Sequence, residues 1–276
     1  MSDLVSIIML SRNMAPYVEE TVRSVMAQTY RNWELLFIDD NSQDDTIGVM
    51  QDLKEEERRR RNGDDRITVM RTAYTSGESV NRNSALKSAK GRWVAFLNVG
   101  SVWHPEKLEK QIAFMEEHGY AFSYTKYGLM DLESKDRGIV IGGKEHATHK
   151  DLLKCCWPAY LTVMYDREKV GLIQARIKHH NNDYALWLDV SDRNDLYLLP
   201  ENLATMRTKW NVLGNLLLTN KAKWRYECYR QQEDLGPVTS FLYTLRNALY
   251  GIVKWLKYVK KNTNVYASND HYPILP

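Results

Sequence analysis

The stretch Trp93-Val-Ala-Phe-Leu-Asn-Val-Gly-Ser-Val-Trp-His-Pro-Glu-Lys-Leu-Glu-Lys-Gln111 decides the fold. Its apolar opening, 93–97, reads as a buried strand and Asn98 to Ser101 as a short loop. A helix is expected to open at Pro105, because a proline fits the first helical turn, where its missing N–H costs nothing.

Outward from this segment the same alternation repeats. Short β-branched or aromatic runs at 5–10, 33–39 and 67–71 are separated by amphipathic stretches at 17–28, 46–61 and 79–90, and a further helix covers 105–118. Thr46 is the expected N-cap of its helix. This pattern is that of βαβ units and predicts an α/β fold with a mostly parallel sheet flanked by helices. Right-handed crossovers then bring the strand C-termini to one edge, where ligands bind in such folds. After Tyr120 the pattern changes to strands at 121–131 and 138–142 around a polar turn at 133–138. Helices are expected at 150–156 and 182–191, with strands at 160–165 and, last, 196–199. The expected division is a main domain over 1–209 and a helical tail over 210–276.

Composition narrows the function. The 276 residues are 43% hydrophobic and 26% charged, enough for one large core. A net charge of +3 is too mild and too evenly mixed to make nucleic acid the main partner. The run Glu55-Glu-Glu-Arg-Arg-Arg-Arg61 places acids four residues before bases, so i,i+4 pairs on a solvated helix account for it better than a lipid or nucleic-acid patch. The chain opens without a basic leader, and no segment has the apolar length of a membrane span. Three cysteines, Cys155, Cys156 and Cys228, lack metal-ligand spacing and suit a reducing cytoplasm. His179 and His180 have no completed ligand set, so a zinc site is not expected.

Strand two ends in Phe37-Ile-Asp-Asp-Asn-Ser-Gln-Asp-Asp-Thr46, which puts Asp39 and Asp40 at the ligand edge, where a carboxylate can accept hydrogen bonds from a ribose or a base N–H. A dinucleotide-binding protein also carries an acid there, but needs glycines in its first turn so that a helix N-terminus can approach the pyrophosphate. The first turn here, Leu10-Ser-Arg-Asn-Met-Ala-Pro-Tyr17, has none, which demotes NAD and FAD.

These motifs resemble family 2 glycosyltransferases, in which strand one ends near Pro-Thr-Tyr-Asn and strand two in Val-Asp-Asp-x-Ser-x-Asp-x-Thr. Ser11, Asn13, Asp39, Asp40, Ser42, Asp44 and Thr46 match; Leu10 and Arg12 depart. Ser79-Val-Asn-Arg-Asn-Ser-Ala-Leu86 resembles the family's Ala-x-Ala-Arg-Asn-x-Gly, and His179-His-Asn-Asn-Asp-Tyr-Ala-Leu-Trp-Leu188 resembles Arg-x-Asp-Tyr-Ala-Leu-Trp-Leu. The resemblance spans about 5–207 and implies a GT-A-like fold. It places Ser11 against a nucleobase, Asp39 and Asp40 at the nucleoside, Arg82, Asn83 and Asn98 on the donor side, and Asp183 as the catalytic base. Arg82 also reads as a helix-surface ion pair, and Asp183 as an acid favouring its own helix N-terminus.

The opening stretch departs from the family at its most important point. Where the family loop reads Leu-Asp-Ser-Asp-Asp-Leu-Trp, this chain has Asn98-Val99-Gly100-Ser101, so the carboxylate that would hold a divalent metal, usually Mg or Mn, is replaced by Gly100. Metal-independent transfer, a metal held differently and a non-catalytic relative all remain open. Arg207 and Lys209 fall where the family has basic residues near the diphosphate, and either could offset its charge or simply lie on the surface.

In the tail, Leu242, Leu245, Leu249, Ile252, Val253, Leu256 and Val259 recur at helical spacing, with Arg246, Lys254, Lys257 and Lys261 on the other face. Such a helix suits an anionic membrane surface, or packs on the protein's own core or a second subunit. The resemblance therefore implies an inverting enzyme moving a sugar from a nucleotide-sugar donor, a UDP-sugar by expectation, to a glycan or lipid-linked acceptor in surface-polysaccharide synthesis. Such an enzyme would be cytoplasmic or peripheral on the inner membrane face. The rival is a catalytically impaired subunit that binds nucleotide sugar or glycan.

Overall fold

The computed structural model describes residues 3–174, 183–209 and 219–261. Four parallel strands form its centre: β1 (Val5–Ser11), β2 (Trp33–Asp39), β3 (Ile67–Arg71) and β4 (Trp93–Asn98). They are linked by α1 (Ala15–Met26), α2 (Thr46–Arg60) and α3 (Glu78–Ser88). β5 (Val102–Trp103) and α4 (Lys107–His118) follow, then β6 (Phe122–Met130), β7 (Asp136–Ile141), β8 (His146–Ala147) and α5 (His149–Leu152). The chain continues through β9 (Met164–Asp166), α6 (Arg167–Val170), α7 (Asp183–Ser191) and β10 (Leu196–Arg207). It closes with α8 (Thr219–Gln231), α9 (Pro237–Tyr258) and β11 (Val259–Lys261).

The main sheet runs β11-β7-β6-β9-β4-β1-β2-β3. Pairing is parallel among β1 to β4 and between β6 and β10; β9, β7 and β11 join antiparallel. The central strands are near-continuous apolar runs because both of their faces are covered. Alternate residues go to opposite sides. Ile8, Leu36, Ile38, Val94 and Phe96 pack towards α3 and α7, and Ile7, Met9, Leu35, Phe37, Ala95 and Leu97 towards α1, α2 and α4. Helix α7 is buried nearly all round, with Trp187 edge-on to Phe96 at 5.1 Å.

Several expected boundaries move, each for a visible reason. Pro105 stays outside α4, and its carbonyl accepts the Thr29 N–H at 2.8 Å. Thr46 is the first residue of α2 rather than its cap, and Asp44 Oδ1 accepts its N–H at 3.1 Å. The expected strand at 160–165 begins with a 3-10 turn, Tyr160–Thr162, because the Thr162 N–H and hydroxyl both fold back onto Ala159 O. The expected helix at 150–156 shrinks to α5, and Trp157 Nε1 turns the chain back onto Asp151 O. β10 continues well past 199, absorbing Pro200 where its register against β6 shifts. It is also not the last strand, since Val259 leaves the helical tail to open β11. In the charged run the expected i,i+4 pairs give way to Glu55 with Arg58, Glu56 with Arg23 and a buried Glu57 with Arg66.

Candidate functional site

Strand register builds the site. Ser11 lies opposite Asp39, Leu10 opposite Asn98, and Asp39 opposite Arg71, so the expected donor residues from three strands meet at one edge. Asp39 is fully buried and spent on the loop that follows: Oδ2 accepts the Ser42 N–H at 2.8 Å and Oδ1 the Ser42 hydroxyl.

Asp40 turns the other way. Its Oδ1 accepts the Ser76 N–H at 2.9 Å and the Asn81 amide at 2.8 Å. Burial works to raise its pKa, but the Ser76 and Gly77 N–H groups, Asn81 and the charge of Arg12 outweigh it and hold the carboxyl below its ordinary value. Asn81 is the residue that sequence reading passed over. It sits one position before Arg82, on the same motif, and its contact with Asp40 spans 41 positions, so only the α3 packing reveals it. Asn83 is half-buried on the same helix.

Three buried polar atoms around this edge have no hydrogen-bond partner among the described residues: Ser11 Oγ, Ser79 Oγ and Arg82 Nη1. A buried donor left unpaired costs about 1–3 kcal/mol, so a cluster of them at a ligand edge argues for a bound polar group.

Arg82 links this edge to the far wall. Its side chain is only 3% exposed; Nη2 lies 2.9 Å from Asp183 Oδ1, and Nε donates to the Tyr160 hydroxyl at 3.3 Å. Burial disfavours the charged guanidinium, yet Tyr160, Asp183 and Glu78 more than offset it and raise the Arg82 pKa, so it stays charged. Asp183 opens α7 with its side chain 29% exposed, the geometry of an acid that can reach a ligand. Arg82 thus makes an i,i+4 pair with the exposed Glu78 at 3.7 Å on its own helix and also reaches across to Asp183. His179 and His180 lie outside the described residues.

A family model described as glycosyl transferase family 2 matches residues 6–138. The chain is 38% identical over 236 residues to a Bacillus subtilis protein named as the putative teichuronic acid biosynthesis glycosyltransferase TuaG, covering 84% of this chain and 89% of that one. The chain belongs to glycosyl transferase family 2. It is also 33% identical to an Escherichia coli protein named UDP-Glc:alpha-D-GlcNAc-diphosphoundecaprenol beta-1,3-glucosyltransferase WfgD, covering 91% of this chain and 94% of that one. Among solved structures, S. aureus TarS 1-349 in complex with UDP superposes with a TM-score of 0.61 at 19% identity, over 86% of this chain and 70% of that one. That likeness establishes the GT-A glycosyltransferase fold.

Against the family's metal site, the loop after β4 does not fit. Gly100 has φ +95 and offers no side-chain oxygen, and its own carbonyl is taken by Arg207 Nε at 3.0 Å. Val99 is buried, and only the Asn98 amide is turned to solvent. Among the described residues no group of three His, Cys, Asp or Glu is placed to hold a metal ion. Arg207 is equally committed. Besides Gly100 O, its guanidinium binds the carbonyls of Asp131 and Leu132, the Ser134 hydroxyl and Glu20, and lies over the Tyr17 ring. With its side chain 5% exposed, Arg207 tethers the loop. Lys209, two residues on, is exposed.

Proposed function

We propose that the chain is an inverting glycosyltransferase that moves a sugar from a UDP-sugar to a glycan or lipid-linked acceptor in surface-polysaccharide synthesis, at the cytoplasmic face of the membrane. The observation that carries it is the Arg82 to Asp183 ion pair at 2.9 Å, because it joins the donor edge, with its unpartnered Ser11 and Ser79 hydroxyls, to a carboxylate on the opposite wall. The names of the B. subtilis and E. coli relatives supply the polymer and the lipid-linked acceptor class. The TarS complex supplies UDP as the nucleotide.

In this reading Ser11, Asp40 and Asn81 seat the nucleoside, with Asp39 shaping the loop beneath it and Asn98 and Asn83 on its donor side. Asp183 takes the proton from the acceptor hydroxyl as that oxygen attacks the anomeric carbon. The bond from that carbon to the diphosphate breaks on the opposite face, so the configuration inverts. Arg82 holds the Asp183 carboxylate in place and leaves Nη1 for the donor. Lys209 stands as an exposed cation past β10, able to screen the departing diphosphate.

A second reading has one observation behind it. The loop at Gly100 lacks the family acid, as expected of a subunit that binds nucleotide sugar without turning it over. Transfer assays with UDP-glucose and UDP-N-acetylglucosamine on a lipid-linked glycosyl diphosphate separate the two. Turnover that Asp183→Asn abolishes while UDP affinity stays within about twofold supports the enzyme. Tight UDP binding without turnover by the native chain supports the subunit.

A further inference from the structure

Helix α9 is inside out. Its polar and aromatic side, with Tyr243, Asn247, Tyr250 and Lys254, faces the protein, and its aliphatic side faces away from it. Nine of the twelve exposed large hydrophobic residues among the described residues lie on this one helix. Leu242, Leu245, Leu249, Ile252, Val253 and Leu256 follow one another at intervals of three, four or one, a single stripe along a helix about 33 Å long.

The inner side is attached to the wall that carries Asp183. Lys254 Nζ donates to Cys156 O at 2.9 Å and Trp157 O at 2.6 Å, just before the turn that presents Tyr160 to Arg82. The Asn247 amide reaches the hydroxyl of Tyr184, the neighbour of Asp183, at 3.5 Å. Tyr243 stands edge-on to Tyr229, which does the same to Tyr184. β11 then fixes the end of the helix by pairing with β7. Whatever the outer stripe rests on is therefore held in a set orientation to the base.

We propose that the outer face of α9 is an in-plane docking surface for an anionic lipid bilayer, holding the Asp183 wall at the membrane. The occupant follows from charge. From Pro237 to Lys261 the chain has five Lys or Arg and no Asp or Glu, and Lys257, Lys260 and Lys261 are exposed beside the stripe. A second copy packed on this face would bring the same acid-free surface and leave those cations without counter-charge. Anionic headgroups provide it, while the aliphatic stripe and Trp255 enter the acyl boundary. The proposal rests on the reading of a lipid-linked acceptor, which such an orientation would deliver to Asp183 without either group leaving the bilayer surface.

The test is sedimentation of the full chain with vesicles of phosphatidylcholine and phosphatidylglycerol, with Trp emission recorded in parallel. Leu245→Ser, Leu249→Ser and Leu256→Ser together put a hydroxyl at half of the six stripe positions without touching the inner face. The native chain is expected to bind, with a blue-shifted emission and weaker binding at high salt, and the triple variant to lose at least about tenfold in affinity. UDP affinity and thermal midpoint should be unchanged in the variant, which separates lost docking from lost folding. Equal vesicle binding by both proteins, or none by the native chain, overturns the proposal. So does a native dimer that the variant converts to monomer, which assigns the stripe to a second copy. If docking is seen and no sugar is transferred to any lipid-linked acceptor, the proposed activity fails while the docking surface stands.

Discussion

Arg207 Nε donates to the carbonyl of Gly100 at 3.0 Å, joining the end of β10 to the loop where the family keeps its metal ligand. The contact spans 107 positions, and it makes a residue expected at the diphosphate a brace for the loop as well. Its remaining donors bind the 131–134 turn and Glu20, so one guanidinium holds α1, the loop after β4 and the β6–β7 turn in register.

Arg207→Ala is therefore expected to act first on stability. Several hydrogen bonds and an ion pair with the part-exposed Glu20 are lost together, a cost of about 2–4 kcal/mol. Arg207→Lys should recover little, since an ammonium on a single stem cannot span Gly100, the turn and Glu20 as the planar fork does. Denaturant melts of the three proteins check this. A variant as stable as the native chain but weak for UDP would return Arg207 to the diphosphate.

Asp40→Ala should cost the donor site more than the fold. Removing the carboxylate leaves Ser76 N–H and the Asn81 amide without their acceptor, worth about 1–2 kcal/mol, while UDP affinity should fall at least about tenfold. The folded-state pKa of Asp40 is depressed, so its contribution to stability is present above the unfolded value of about 4 and is lost only as pH falls through the lower folded value. Calorimetry with UDP at neutral pH, paired with acid melts, separates the two effects. Asn81→Ala should reproduce part of the affinity loss, because it frees Asp40 from its set position.

The central strands were legible in the sequence because their apolar runs are bounded by polar residues. The runs at 33–39 and 67–71 agree with the structure residue for residue. Pro105 misled because proline suits both a helix start and the loop before one, and the carbonyl contact to Thr29 that decides the matter comes from 76 positions away. Partners such as Asn81 for Asp40, or Asp183 for Arg82, are set by packing, and nothing in local spacing announces them. In the tail, periodicity revealed two faces but not their direction. Lys254, on the face opposite the leucines as expected, holds the Cys156 and Trp157 carbonyls, so it is that polar and aromatic face which meets the protein wall.

A pH-dependent joint is expected where α5, α7 and α8 meet. His149 Nε2 lies 3.0 Å from Glu233 Oε2 and Nδ1 lies 2.9 Å from Ser191 Oγ. The Glu233 hydrogen bond raises the His149 pKa against the opposing effect of burial, and Asp192 adds to the rise. Because the folded value is the higher one, the stabilisation is fully present below about pH 6.5 and is lost as pH rises through the folded pKa. Melts of the native chain and of His149→Gln from about pH 6 to 9 should converge at the alkaline end. Parallel curves would show that the histidine does not titrate in that range.

The loop at Gly100 makes the clearest prediction about metal. With no carboxylate there, UDP affinity should change by less than about threefold when EDTA replaces magnesium or manganese, whereas a metal bridging protein and diphosphate would contribute several kcal/mol. Restoring the acid is not a simple rescue. Gly100 has φ +95, a conformation that costs an L-residue about 1–2 kcal/mol, and a Cβ there would lie 3.2 Å from Met14 Cε. Gly100→Asp should therefore melt earlier and gain no metal dependence by itself, since the loop would shift to relieve both strains. Gly100→Asp with Asn98→Asp and Met14→Ala opens the space and supplies two acids. A metal-dependent rise in UDP affinity in that triple variant alone would show that the rest of the site is competent for the ion. A strong metal requirement in the native chain would mean instead that the ion is held by groups other than this loop.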